Sequence, residues 1–264
     1  MKVLLVLTAC VLVASCGTSA APNAAPNAGP NAGPVKMRAE VLAVLPHDST
    51  AFTQGLELDG DRLIEGTGLE GASSVRVVDP KTAEVRRKVD LPSPMFGEGV
   101  TVAGSKIWQL TWRDGVAFQR DKQTLAEVRR VPYSGEGWGV CLDGQRLVMS
   151  DGSDKLAFRD PETFDQVGEV RVRSAGEPVT LLNELECTPD GVYANVWKTD
   201  TIVRIDPASG NVTATVDLTG LLPREDRADD AVLNGIAAVR GTGEFLVTGK
   251  LWPKMFRVKF VTAS

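Results

Sequence analysis

The chain has 264 residues, of which 43% are hydrophobic and 24% charged, and its formal net charge is −5. This is enough apolar material for one or two domains, and it is not the basic balance of a nucleic-acid-binding protein. The single histidine, His47, excludes a histidine-rich metal site, and with four cysteines a cysteine-based zinc cluster is hard to build.

Met1-Lys2 gives a short positive start, followed by an apolar run from Val3 to Val13. Eleven residues are too few to span a bilayer but fit the h-region of an export signal. The run ends in Val13-Ala14-Ser15-Cys16, which resembles a bacterial lipobox. Residues 1–15 are therefore expected to be a lipoprotein signal peptide, with Cys16 lipidated at the new N-terminus. The protein would face the periplasmic side of the envelope and touch membrane through that anchor alone. The alternative is cleavage near Ala14 or Ala20 and secretion. Residues 16–36 follow as an Ala/Pro/Asn/Gly tether, whose stretch 17–34 has no large apolar side chain and is unable to offset the entropy of ordering.

From residue 37 to 264 a unit repeats. Turn glycines at Gly60, Gly104, Gly144, Gly191 and Gly241 lie 44, 40, 47 and 50 residues apart. Most precede a hydrophobic strand, as in Asp59-Gly60-Asp61-Arg62-Leu63-Ile64. A second marker interleaves: an alternating strand running into a turn, as in Val75-Arg76-Val77-Val78-Asp79-Pro80, Phe158-Arg159-Asp160-Pro161 and Val203-Arg204-Ile205-Asp206-Pro207. Asp-Pro is turn chemistry, because Pro presets φ and Asp bonds nearby backbone N–H groups. Short strands at this period predict an all-β, five-bladed β-propeller. The last unit is one strand short, so Glu40–Leu45 is expected to close the ring within it. One helical turn is expected between Pro223 and Ala231.

The residues ahead of each turn glycine carry the candidate chemistry: Phe52-Thr53-Gln54-Gly55, Phe96-Gly97-Glu98-Gly99, Gly137-Trp138-Gly139, Leu182-Asn183-Glu184-Leu185-Glu186 and Leu233-Asn234-Gly235. Glycines beside one large side chain let it project where backbones crowd together. Gln54, Glu98, Trp138 and Asn183 are thus expected to converge, with Glu98 the only carboxylate read as glycine-flanked beside Trp and Phe. Aligning the ends of the second strands brings Trp112, Trp197 and Lys250 to matching places. Aromatic walls with a few polar groups suit a small-ligand pocket.

These motifs, with Leu110-Thr111-Trp112, Asn195-Val196-Trp197 and Thr248-Gly249-Lys250-Leu251-Trp252-Pro253, resemble those of the plant- and bacterial-type glutaminyl cyclases across about residues 40–260. The resemblance implies a five-bladed propeller that converts N-terminal glutamine of peptides or proteins to pyroglutamate with release of ammonia. It implies no metal and no cofactor. By the same resemblance Glu98 is the general acid/base, Gln54, Asn183 and Lys250 bind substrate, and Phe52, Phe96, Trp112, Trp138 and Trp197 line the pocket. A monomer is expected.

The alternatives are a non-catalytic propeller lipoprotein that binds peptides or scaffolds an envelope complex and, behind it, a propeller hydrolase. Plainer roles also stand beside the site assignments. Glu98 is otherwise a buried structural carboxylate, and Lys250 otherwise caps Glu184 or Glu186. Those two acids are expected to bond neighbouring blades. Trp108 and Trp252 belong to packing, and His47 ties down the closing strand. Asp151 and Asp154 make a turn rather than a calcium site. Cys141 and Cys187 are expected as free buried thiols, with a bridge left open.

Overall fold

The computed structural model of the protein describes residues 33–263. The expected signal peptide, Cys16 and most of the tether lie outside these residues. Among the described residues no helix is long and apolar enough to cross a membrane.

The fold is all-β. It opens with β1 (Val35–Pro46), which contains the expected closing strand Glu40–Leu45 and begins ahead of it. Next come β2 (Thr53–Asp59), β3 (Arg62–Thr67), β4 (Ser74–Val78) and β5 (Val85–Asp90), then β6 (Gly97–Ala103), β7 (Lys106–Thr111), β8 (Val116–Asp121) and β9 (Glu127–Pro132). A third group holds β10 (Val140–Asp143), β11 (Arg146–Ser150), β12 (Lys155–Arg159) and β13 (Gln166–Arg171). The short hairpin β14 (Arg173–Ser174) and β15 (Glu177–Pro178) leads to β16 (Leu182–Thr188), β17 (Gly191–Val196), β18 (Thr201–Ile205) and β19 (Val212–Asp217). The chain finishes with β20 (Leu233–Val239), β21 (Glu244–Gly249) and β22 (Lys254–Thr262). The expected helical turn is a 3-10 turn at Arg224–Asp226.

Each group is an antiparallel meander. The turn glycines sit where two strands meet in a tight hairpin, as at Asp59↔Arg62 and Asp143↔Arg146. β1 lies antiparallel to β22, from Met37↔Thr262 to Pro46↔Lys254, and also parallel to β19 through Val35↔Ala214. That second pairing draws Val35 and Lys36 into the strand and explains its early start.

The first strands of the meanders touch in sequence: β2 with β6, β6 with β10, β10 with β16, β16 with β20, and β20 with β2. The apolar faces are shared in the same order. Ile64 and Val77 pack with Val100 and Ile107, and Trp108 and Leu110 with Val140 and Leu147. Val148 and Phe158 meet Leu185 and Ile205, Ile202 and Val216 meet Ile236 and Phe245, and Ala237 and Leu246 return to Leu56 and Leu63. Full burial of such aliphatic side chains contributes about 1.5–3 kcal/mol each. Trp108 and Trp252 are wholly buried, in keeping with packing roles.

Cys141 and Cys187 correct the expectation of free thiols: they form a disulfide, with Cα atoms 5.4 Å apart. Adjacency of β10 and β16 brings them within bridging reach, and that adjacency is not written in their spacing of 46 residues. Opening the bridge by the Cys141→Ala/Cys187→Ala pair is expected to lower unfolding free energy by about 2–4 kcal/mol. A urea midpoint unchanged from wild type would refute this.

Candidate active site

One backbone device aims the key side chains. The pairing of β2 with β3 slips between Thr53 and Gly55, and that of β6 with β7 between Gly97 and Val100. The same slip occurs between Leu182 and Leu185 and between Leu233 and Ile236. A bulge of this kind re-aims a side chain out of the alternating pattern. The residues inside the slips include Gln54, Glu98, Asn183 and Asn234. Glycine then allows neighbouring strands to close up. A Cβ on Gly99 would lie 2.8 Å from the Trp138 carbonyl oxygen, and one on Gly139 would lie 2.2 Å from that of Asn183.

Glu98 is 5% exposed. Its Oε1 accepts from Gln54 Nε2 at 3.0 Å, and its Oε2 has no hydrogen-bond partner among the described residues. Burial pushes its carboxyl well above the usual carboxylate range, the Lys250 charge holds back part of that rise, and the Glu136 charge adds to it. Lys250 is likewise 5% exposed. Burial lowers its ammonium to about 8, against the opposing pull of Glu98. Its Nζ lies 4.8 Å from the Phe52 ring centroid. Asn234 Nδ2 donates to the Thr53 carbonyl at 3.0 Å and reaches Gln54 Oε1 at 3.4 Å. Gln54 thus has its amide turned, oxygen toward Asn234 and nitrogen toward Glu98. Asn183 Oδ1, Asn195 Nδ2 and Asn234 Oδ1 are buried without partners among the described residues. Unpaired buried polar atoms are costly and call for an explanation.

The five aromatic side chains expected to line a pocket fall into two runs. Phe52 meets Phe96 edge-on at 6.2 Å, and Phe96 meets Trp112 at 5.6 Å. Trp138 and Trp197 form a separate T-shaped pair at 5.4 Å. All five rings are partly buried. Trp112 Nε1 and Trp138 Nε1 both donate to Glu136 Oε2, at 2.7 and 3.0 Å. Glu136 was absent from the sequence reading, and so were Asn195 and Asn234 as site residues. The signal for Glu136 was present, since Gly135-Glu136-Gly137 repeats the glycine flanks of Glu98. Glu98 is therefore not the only carboxylate set between glycines beside an aromatic residue.

Other assignments resolve by their contacts. Glu184 takes the Leu56 N–H at 3.2 Å and the Ile236 N–H at 2.8 Å, joining β2 and β20 as expected. Among the described residues Lys250 forms no ion pair with it or with Glu186. His47 bonds the Trp252 carbonyl at 2.6 Å through Nδ1 and Glu65 at 3.1 Å through Nε2, fastening the end of β1. Asp151 accepts from the Ser153 N–H at 3.0 Å, closing a turn, and Asp154 pairs with Arg171 at 2.8 Å.

Residues 8–260 match the family model described as Glutamine cyclotransferase. The chain is 42% identical over 231 residues to the curated glutaminyl-peptide cyclotransferase of Arabidopsis thaliana, covering 85% of this chain and 72% of that protein. The crystal structure of Myxococcus xanthus glutaminyl cyclase aligns with a TM-score of 0.82 at 37% identity, covering 88% of this chain and 100% of that one. By sequence and by structure alike, the chain belongs to the glutamine cyclotransferase family.

Proposed function

We propose that this protein is a glutaminyl-peptide cyclotransferase, closing N-terminal glutamine of peptides and proteins to pyroglutamate and releasing ammonia. The observation that carries the reading is the buried Glu98 carboxylate, with one oxygen held by Gln54 and the other unpartnered. The proposed frame is a five-bladed propeller whose last blade is completed by β1, supported by the cyclic order of contacts among β2, β6, β10, β16 and β20.

The reaction forms one bond and breaks one. The neutral α-amine of the substrate attacks its own side-chain amide carbon. Ionised Glu98 takes a proton from the attacking nitrogen and hands it to the amide nitrogen, which leaves as ammonia. Glu98 ends ionised, ready for another turn. A carboxyl whose pKa is raised well above its ordinary value by burial gives up its proton less readily than a free one, which suits holding it between the two transfers. Protonated Lys250, with the Gln54 amide, faces the oxyanion that develops on the former carbonyl oxygen. The aromatic walls exclude water and hold the flexible side chain folded toward its own amine.

No step requires a metal, and the one histidine is committed to Glu65 and Trp252. Export as a lipoprotein through Cys16, on the periplasmic side, belongs to the same proposal, as does a monomeric state. The domain with a Gln-initiated peptide is expected to release ammonia in the presence of chelators. Absence of ammonia between about pH 6 and 9, a range that brackets the α-amine value near 8, would instead favour a binding or scaffolding propeller.

A further inference from the structure

Glu136 lies in the loop between β9 and β10, yet its contacts span two sheets. Trp112 follows β7 in one, and Trp138 precedes β10 in the next. One carboxylate oxygen takes both indole N–H groups, at 2.7 and 3.0 Å. The other accepts from Arg113 Nε at 2.8 Å. The Arg113 guanidinium in turn lies 3.8 Å from the Trp112 ring centroid. Trp112 continues into Phe96 and Phe52, and Trp138 into Trp197. Glu136 therefore joins the two aromatic runs into one wall.

An indole N–H donates and cannot accept, so a carboxylate between two indoles is the complementary partner. Its charge strengthens both bonds. The rings are only partly buried, so without that acceptor each could turn its N–H to water at little cost to folding. Each ring would then have to be ordered again whenever substrate enters, and that ordering opposes binding.

We propose that Glu136 is a positioning residue for the cyclisation, fixing Trp112 and Trp138 as the preformed walls that clasp the glutamine side chain. The proposal rests on the cyclotransferase reading and adds to it a residue that touches neither amine nor amide. Glu136 acts through the indoles, so its loss falls on substrate binding more than on turnover.

The test compares Glu136→Ala and Glu136→Gln with wild type, using a Gln-initiated peptide and an indole-labelled protein. Glu136→Ala is expected to raise KM about tenfold with kcat changed by less than about threefold, the size expected from reordering two side chains. Glu136→Gln retains a carbonyl oxygen that can accept both N–H groups and is expected to restore KM to within about threefold of wild type. The indole N–H resonances of Trp112 and Trp138, assigned through Trp→Phe variants, should shift in Glu136→Ala and stay close to wild type in Glu136→Gln. An alanine variant with wild-type KM and unmoved resonances would overturn the proposal. So would equal rises in KM for both variants, since charge rather than the shared acceptor would then matter. If wild type releases no ammonia, the cyclotransferase reading fails on its own, and the resonances alone decide whether Glu136 fixes the indoles.

Discussion

Glu98→Gln is expected to lower kcat by about 10²–10⁴-fold, the range for loss of a positioned acid/base, and to raise the melting temperature at alkaline pH relative to pH 4. The fall in rate follows because an amide can neither take the amine proton nor return it to the leaving nitrogen. The gain in stability follows from the same burial. The folded-state pKa of Glu98 is pushed above its ordinary value, so the folded protein holds this proton more tightly than the unfolded chain does. The associated stability is complete below the ordinary carboxylate pKa and is lost as pH rises through the folded-state value. Above that value the wild-type protein carries a buried charge whose Oε2 has no partner among the described residues. The variant carries a neutral amide there, and its carbonyl still accepts from Gln54. A relief on the order of 1 kcal/mol corresponds to a rise of about 2–4 °C. The difference should shrink toward pH 4, where wild-type Glu98 is protonated as well. Calorimetry at the two pH values, beside ammonia release, checks both halves. A variant retaining most of its activity would remove Glu98 from the mechanism.

Lys250→Met is expected to lower kcat by about 10²–10³-fold, the loss typical of one donor at a developing oxyanion, and to abolish an alkaline decline in rate. Methionine keeps an unbranched apolar stem near Phe52 and removes the charge. The wild-type ammonium donates only while protonated, and burial lowers its pKa to about 8. Activity should therefore fall as pH rises through about 8. On the acid side activity also falls, because the substrate amine must be neutral and Glu98 ionised. The profile is thus a bell with macroscopic limbs. In Lys250→Met the acid limb should persist and the alkaline limb vanish. An alkaline limb unchanged in the variant would show that another group titrates there.

The strands were legible because turn chemistry and alternation are local. Asp59-Gly60 and Asp143-Gly144 mark hairpins wherever the chain later places them, and the sheets follow one after another. Glu98, Gln54 and Lys250 were legible through short motifs around them. What escaped depends on distances between sheets. Glu136 has meaning only when Trp112 and Trp138 stand on either side of it. The bridge from Cys141 to Cys187 requires the adjacency of β10 and β16, and the early start of β1 requires its second partner, β19. The unpartnered atoms of Asn195 and Asn234 likewise belong to the folded assembly: both residues stand inside motifs read from the sequence, but which of their atoms lack partners depends on the packed strands around them.

The four slips in pairing at the starts of β2, β6, β16 and β20 separate direction from chemistry. The backbone irregularity decides where a side chain goes, while the residue within it decides what arrives there. One local geometry presents an amide from Gln54, a carboxylate from Glu98 and further amides from Asn183 and Asn234. A substitution at such a place exchanges one functional group for another without asking the surrounding ladder to change. Duplication of a single meander could therefore have supplied several equivalent sockets, and the pocket could then have diversified one socket at a time, on a scaffold already able to fold.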